Sequence, residues 1–82
     1  MGRADRFNRI NAAMVRLGEE GLAPVLAVRY QGEVLEFRVN LTTHHLTCQG
    51  GQHPRAVLED YDTQFIEAYP SRQVDRELSD IW

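Results

Sequence analysis

The stretch APVLAVRYQGEVLEFRVNL, residues 23–41, decides the fold of this chain. Polar and apolar side chains alternate on both sides of Gln31-Gly32, which is typical of two strands that each bury one face. A two-residue turn there keeps apolar residues opposite one another, whereas a slip of one residue would mix the two faces. The sequence therefore predicts a β-hairpin in which Gly32 supplies the positive φ angle of the turn. The predicted cross-strand pairs are Tyr30 with Glu33, Val28 with Leu35, and Leu26 with Phe37.

An amphipathic helix is predicted before this hairpin, over residues 4–21 with the sequence ADRFNRINAAMVRLGEEG. Apolar residues recur there at spacings of three or four, which places them on one stripe of a helix. Gly18 or Gly21 is expected to end the helix. The stripe consists of Phe7, Ile10, Met14 and Leu17.

After the hairpin, residues 42–48 (TTHHLTC) alternate and are rich in threonine, which predicts a third strand. The glycines and the proline of residues 49–54 indicate a turn. For residues 54–70 we favour a helix on the spacing of Leu58, Tyr61 and Phe65, and the alternative is a pair of strands. Ser71 is a good N-cap for a last helix with an apolar face, formed by Val74, Leu78 and Ile81.

These elements predict an α+β fold in a single small domain, residues 1–82. An N-terminal helix packs on a small antiparallel sheet of three strands with its hairpin turn at Gln31-Gly32, and one or two C-terminal helices follow. The sheet needs cover on its apolar face, and the stripe of the N-terminal helix is expected to supply it.

Composition and charge exclude several classes of function. The net charge is −3, and residues 55–82 carry three arginines against seven acidic residues, so we expect no nucleic-acid binding. No apolar run is long enough to cross a membrane, and the charged N-terminus is unlike a secretory signal. The single cysteine fits a reducing compartment. We therefore expect a cytoplasmic protein, or a virion component if the chain comes from a phage.

All three histidines and the only cysteine lie in HHLTCQGGQHP, residues 44–54. His44, Cys48 and His53 are the candidate metal ligands, but their spacing matches no zinc signature. A regular strand would also hold His44 and Cys48 about 13 Å apart. Cys48 with His53 as its base lacks an orienting third group. We therefore predict no catalytic residue, no metal and no cofactor, and the chain is not expected to be an enzyme.

The candidate contacts with a protein partner lie in the C-terminal third. Trp82 follows Ile81 at the end of the sequence, and tryptophan is enriched at binding hot spots. Acidic residues nearby suit a basic partner. The predicted partner-binding residues are Ile81, Trp82, Glu59, Asp60 and Asp62.

The opening RFNRINAAMVRLGEE, residues 6–20, resembles the start of small tailed-phage head–tail joining (head completion) proteins. That family begins with an amphipathic helix bearing a similar Phe-x-x-x-Asn-x-Ala pattern and an Arg-Leu-Gly end. GGQHPRAVLEDYD, residues 50–62, is similar to its glycine turn before an Ala-Val-Leu strand, whereas the acidic C-terminal third departs from the mostly β body of the family. The resemblance implies a non-enzymatic virion part that works as a ring.

The leading functional hypothesis is a small non-catalytic binding or assembly protein, acting through a protein partner or by self-association into a homo-oligomer. One alternative is a metal- or redox-responsive regulator that uses His44, Cys48 and His53. Another is an acidic inhibitor or immunity-type protein that binds a basic partner.

Overall fold

The computed structural model describes residues 3–82, in which three strands follow the first helix and a fourth strand lies between two further helices. The elements are α1 (Arg3–Glu19), β1 (Val25–Tyr30), β2 (Glu33–Asn40), β3 (His45–Cys48), α2 (Pro54–Leu58), β4 (Gln64–Tyr69) and α3 (Arg72–Ser79). The strands form one antiparallel sheet in the order β3-β2-β1-β4. This confirms the α+β class, with a helix first, an antiparallel sheet and further helices.

The predicted hairpin is confirmed in its register. Tyr30 pairs with Glu33, and the apolar pairs farther along β1 and β2 are the expected ones. Gln31 and Gly32 both adopt positive φ angles, 50° and 81°, as a two-residue turn of this kind requires. Local alternation and turn chemistry were sufficient to define this part of the fold.

The prediction of three strands is wrong, because the sheet has four. Residues 54–70 do not form the favoured helix: α2 ends at Leu58, and β4 occupies Gln64–Tyr69. A tight turn stops the helix, since the carboxylate of Asp60 accepts the N–H of Asp62 and the hydroxyl of Thr63 donates to the carbonyl of Val57. Polar side chains that bond the nearby backbone in this way favour turns over helices.

The third strand is shorter than predicted. Residues 41–44 form a turn, and His44 has a φ angle of 61°, so only His45–Cys48 pair with β2. Within that strand the predicted alternation holds, with Leu46 buried and Thr47 exposed. His44 therefore does not share a strand face with Cys48.

All three helices contribute to one hydrophobic core with a single face of the sheet. From α1, the predicted stripe residues Ile10, Met14 and Leu17 are fully buried, and Phe7 packs partly against the core. The sheet contributes one alternating face of each strand. The sheet residues of this core are Leu26, Val28, Leu35, Phe37, Leu46 and Ala68.

The last helix is confirmed together with its cap. The hydroxyl of Ser71 accepts the N–H of Val74 at 3.3 Å, which satisfies one of the unpaired donors at the start of α3. Val74 and Leu78 are buried in the core, and Ile81 packs partly against it just beyond the helix. None of the helices within residues 3–82 has the length and apolarity to cross a membrane.

Candidate functional site

The three candidate metal ligands serve separate local roles. His44 lies in the turn before β3, where its Nε2 is 3.7 Å from a carboxylate oxygen of Glu19. His53 caps α2, and its Nδ1 accepts the N–H of Ala56 at 3.4 Å. Among residues 3–82, no three histidine, cysteine, aspartate or glutamate side chains converge as metal ligands would. The structure therefore does not bring His44, Cys48 and His53 together.

Cys48 is a half-buried thiol at the end of β3, packed against the core. Burial raises its pKa, and this outweighs a hydrogen bond from the backbone of Gln52 that acts in the opposite direction. A raised pKa lowers the thiolate fraction, and the thiolate is the nucleophilic form. Cys48 has the surroundings of a packing residue.

The acidic candidates lie in the turn between α2 and β4. Glu59 forms an ion pair with Arg55 at 2.9 Å, and the Asp60 carboxylate bonds the backbone of Asp62. Asp62 itself is exposed, and Tyr61 between the two aspartates is 79% exposed. Two of the three predicted acidic contacts are thus engaged within the chain.

Trp82 is folded back onto the domain. Its indole N–H donates to the carbonyl of Thr63 at 3.1 Å, and its ring lies 5.7 Å from that of Phe65. The guanidinium of Arg6 stands 4.5 Å from the centre of the Trp82 ring. Arg6 also donates to the carbonyls of Leu58 and Asp60, so one side chain of α1 holds both the turn and the chain end.

A cleft of about 470 Å³ lies between α1, β3 and the start of α2. Its volume falls in the range of ligand-binding pockets. Among the described residues that line this α1–β3–α2 cleft are one arginine and two histidines, and there is no aspartate or glutamate. The lining residues are Phe7, Asn8, Asn11, His45 and Leu46, together with residues 53–55.

Arg55 provides the permanent positive charge of the cleft. Its guanidinium lies 4.3 Å from the ring centre of Phe7, and its Nη1 contacts Glu59. Half of the Arg55 side chain is exposed, at 50%. A guanidinium has five N–H donors, so further donors of Arg55 are available to a ligand beside the bond to Glu59.

Asn11 places a polar group with unused bonding capacity at the same cleft. Its Nδ2 donates to the carbonyl of His44 at 3.0 Å, which fixes the orientation of the amide. Its Oδ1 is buried and accepts no hydrogen bond from any described residue. A buried acceptor without a partner is costly, and this oxygen lies beneath the surface of the cleft rather than on it.

The sequence prediction missed most of this cleft. Asn8 and Asn11 follow one another at helical spacing beside the apolar stripe of α1, and that pairing was the available signal. Nothing local indicates that residues 53–55 lie opposite them, because the juxtaposition depends on the path of the chain through three strands.

Comparison of the chain with models of protein families, with curated proteins and with solved structures gives no match.

Proposed function

We propose that this chain is a small non-catalytic binding protein that acts through protein–protein contacts. Its site is the α1–β3–α2 cleft, and the occupant is a segment of the partner that carries a carboxylate. The observation that carries the proposal is the guanidinium of Arg55: it is half exposed, keeps donors beside its bond to Glu59, and stands in a lining that holds no aspartate or glutamate among the described residues. A carboxylate is the group that complements an exposed guanidinium best.

The mixed character of the cleft favours a peptide over a free anion. Phe7, which packs only partly against the core, offers apolar surface in the lining, and Leu46 lies beside it. An inorganic anion gains nothing from apolar walls. A polypeptide segment supplies apolar contact and a carboxylate together.

A structural role in a phage or prophage particle is a narrower proposal within the same class. It rests on the resemblance of residues 6–20 to head–tail joining proteins. In such a ring the segment in the cleft would belong to a neighbouring subunit, so the partner would be a second copy of this chain or an adjoining protein. Solution mass, measured by light scattering over a range of concentrations, separates self-association from binding to a different chain.

An unbiased library of displayed peptides, selected on the folded protein, tests the proposal. The affinities of selected peptides are then measured by calorimetry for the wild type, Arg55→Gln and the matched control Arg38→Gln. Both arginines are ion-paired and about equally exposed, at 50% and 54%, but Arg38 lies on β2, outside the cleft.

Arg55→Gln is expected to weaken binding about tenfold, the cost of one charge-assisted hydrogen bond. Arg38→Gln is expected to leave the affinity within about twofold of the wild type. A library that yields no binders, or binders that respond equally to both substitutions, would remove the cleft as the site.

A further inference from the structure

We infer that the partner segment binds in the extended conformation and adds a strand to the open edge of β3, with alternate side chains in the cleft. This inference rests on the proposed function and specifies how the same site recognises its partner. Strand addition uses backbone hydrogen bonds for affinity and pockets for alternate side chains for selectivity.

The hydrogen-bond pattern of β3 identifies the backbone groups on its outer side. Gln49 donates its N–H to the carbonyl of Glu36, so these two residues form a hydrogen-bonded pair. Bonded and non-bonded pairs alternate in an antiparallel ladder, and the register pairs Phe37 with Cys48. Cys48, and Leu46 two residues earlier, therefore direct their N–H and C=O groups away from β2.

These outward groups are largely unused within the described chain. The carbonyl of Cys48 accepts the N–H of Gly51 at 3.2 Å. Within residues 3–82, the N–H groups of Leu46 and Cys48 donate to no other segment, and the carbonyl of Leu46 accepts from none. Together they form a short template for one added strand.

At the opposite edge of the sheet, one outward group of β4 is capped by α3. The N–H of Ala68 in β4 donates to the carboxylate of Asp75 in α3 at 2.9 Å. Just before β4, the carbonyl of Thr63 is occupied by the Trp82 indole. Capping by side chains is one of the ways in which proteins keep sheet edges from pairing. β4 is thus capped at one outward N–H, whereas the edge of β3 borders the cleft that holds Arg55, and this contrast favours β3 for the partner.

The position of the cleft fits this mode of binding. Leu46 belongs both to the outward edge of β3 and to the lining of the cleft. Side chains of an added strand alternate between its two faces, so every second one would point to the helix side, where Asn8, Asn11 and Arg55 lie. A carboxylate at one of these positions would meet Arg55.

Two measurements on an Arg55-dependent peptide from the library test the inference. The first is amide hydrogen exchange of the full chain with and without the peptide. Exchange of the Leu46 and Cys48 amides is expected to slow by about tenfold or more. The Ala68 amide, already bonded to Asp75, is the control and is expected to remain unchanged.

The second measurement is a scan of the peptide by single backbone N-methylation. Because alternate residues of an added strand bond the edge, methylation is expected to weaken binding with a period of two residues. Peptides that keep their dependence on Arg55 but show neither this period nor protection of Leu46 would overturn strand addition and leave the proposed function standing. If no selected peptide depends on Arg55, the proposed function fails, and this inference fails with it.

Discussion

The phenol of Tyr69 in β4 reaches across β1 and donates a hydrogen bond to the carboxylate of Glu36 in β2. Ala27 of β1 pairs with Glu36 on one side and with Glu67 on the other, and it is 4% exposed although no helix covers it. Side chains of the two neighbouring strands thus shield the centre of the uncovered sheet face. At its centre this face is occupied by the bond between Tyr69 and Glu36, and we place the binding site at the α1–β3–α2 cleft instead.

The hydrogen bond between Tyr69 and Glu36 predicts that the stability of the fold depends on pH. The hydrogen bond to Glu36, together with desolvation, raises the pKa of Tyr69. The folded state therefore holds the phenolic proton more tightly than the unfolded chain does. The stabilisation from this hydrogen bond is complete below the pKa of tyrosine in the unfolded chain, about 10. It is lost as the pH rises through the pKa of Tyr69 in the folded state.

Titration of the tyrosine ring carbons by NMR checks this prediction. Glu36→Gln is expected to return the Tyr69 pKa toward its ordinary value, whereas Glu33→Gln removes the same charge from β2 without touching Tyr69. An unchanged Tyr69 titration in Glu36→Gln would show that the bond is absent in solution.

A second prediction concerns the contribution of Trp82 to the stability of the fold. Trp82→Ala removes the contacts with Phe65 and Arg6 and the hydrogen bond to Thr63, so the free energy of unfolding is expected to fall by about 2 kcal/mol. Urea denaturation measures it, and Val34→Ala, at a position that is 55% exposed, is the control. Equal stability of Trp82→Ala and the wild type would mean that the ring is presented to solvent.

At the scale of elements, the core face of β2 depends on Phe37, which is 0% exposed. Phe37→Ala is expected to lower the free energy of unfolding by about 3–5 kcal/mol, because it removes buried surface and leaves a cavity. Val34→Ala in the same strand, at a position that is 55% exposed, is expected to cost far less. A thermal melt followed by circular dichroism compares the two variants, and similar melting temperatures would contradict the assigned faces of β2.

The docking of α3 on β4 depends on its N-cap. Ser71→Ala is expected to lower the free energy of unfolding by about 1 kcal/mol, because the N–H of Val74 loses its acceptor. Ser79→Ala, in the last turn of the same helix, removes only a hydroxyl that donates to the carbonyl of Arg76. Urea titrations of both variants are expected to show the larger loss for Ser71→Ala, and the reverse order would contradict the capping role.

The elements differ in how far the sequence could predict them. The hairpin, α1 and α3 were predictable because each depends on a local pattern. The hairpin depends on the alternation over Leu26–Phe37, α1 on its apolar stripe over Ile10–Leu17, and α3 on its cap Ser71. For β4 the sequence left two interpretations open, because Leu58, Tyr61 and Phe65 have helical spacing whereas residues 64–69 also alternate as a strand does. The helix we favoured is wrong there, and the alternative of a strand over residues 64–69 is the one that the structure has. The bonds of Asp60 and Thr63 to the nearby backbone, together with pairing to β1, decide in favour of a strand.

At the scale of the whole molecule, the cleft is a product of the topology. Its walls come from residues 7–11, 45–46 and 53–55, which meet because the chain returns to α1 after three strands. Spacing along the sequence indicated Ile81-Trp82 and the acidic turn as contacts, but it could not place Arg55 beside Phe7. The binding role proposed from composition and the cleft observed in the structure therefore have independent origins.

The central claim is that the α1–β3–α2 cleft is the binding site. The most direct test is a titration of isotopically labelled protein with a selected peptide, followed by NMR chemical shifts. The account predicts that the largest changes fall on the amides of Asn8, Asn11 and Leu46, with small changes at Arg29 and Glu36 on the uncovered sheet face. Largest changes on that sheet face, or in the turn of residues 59–62, would contradict it.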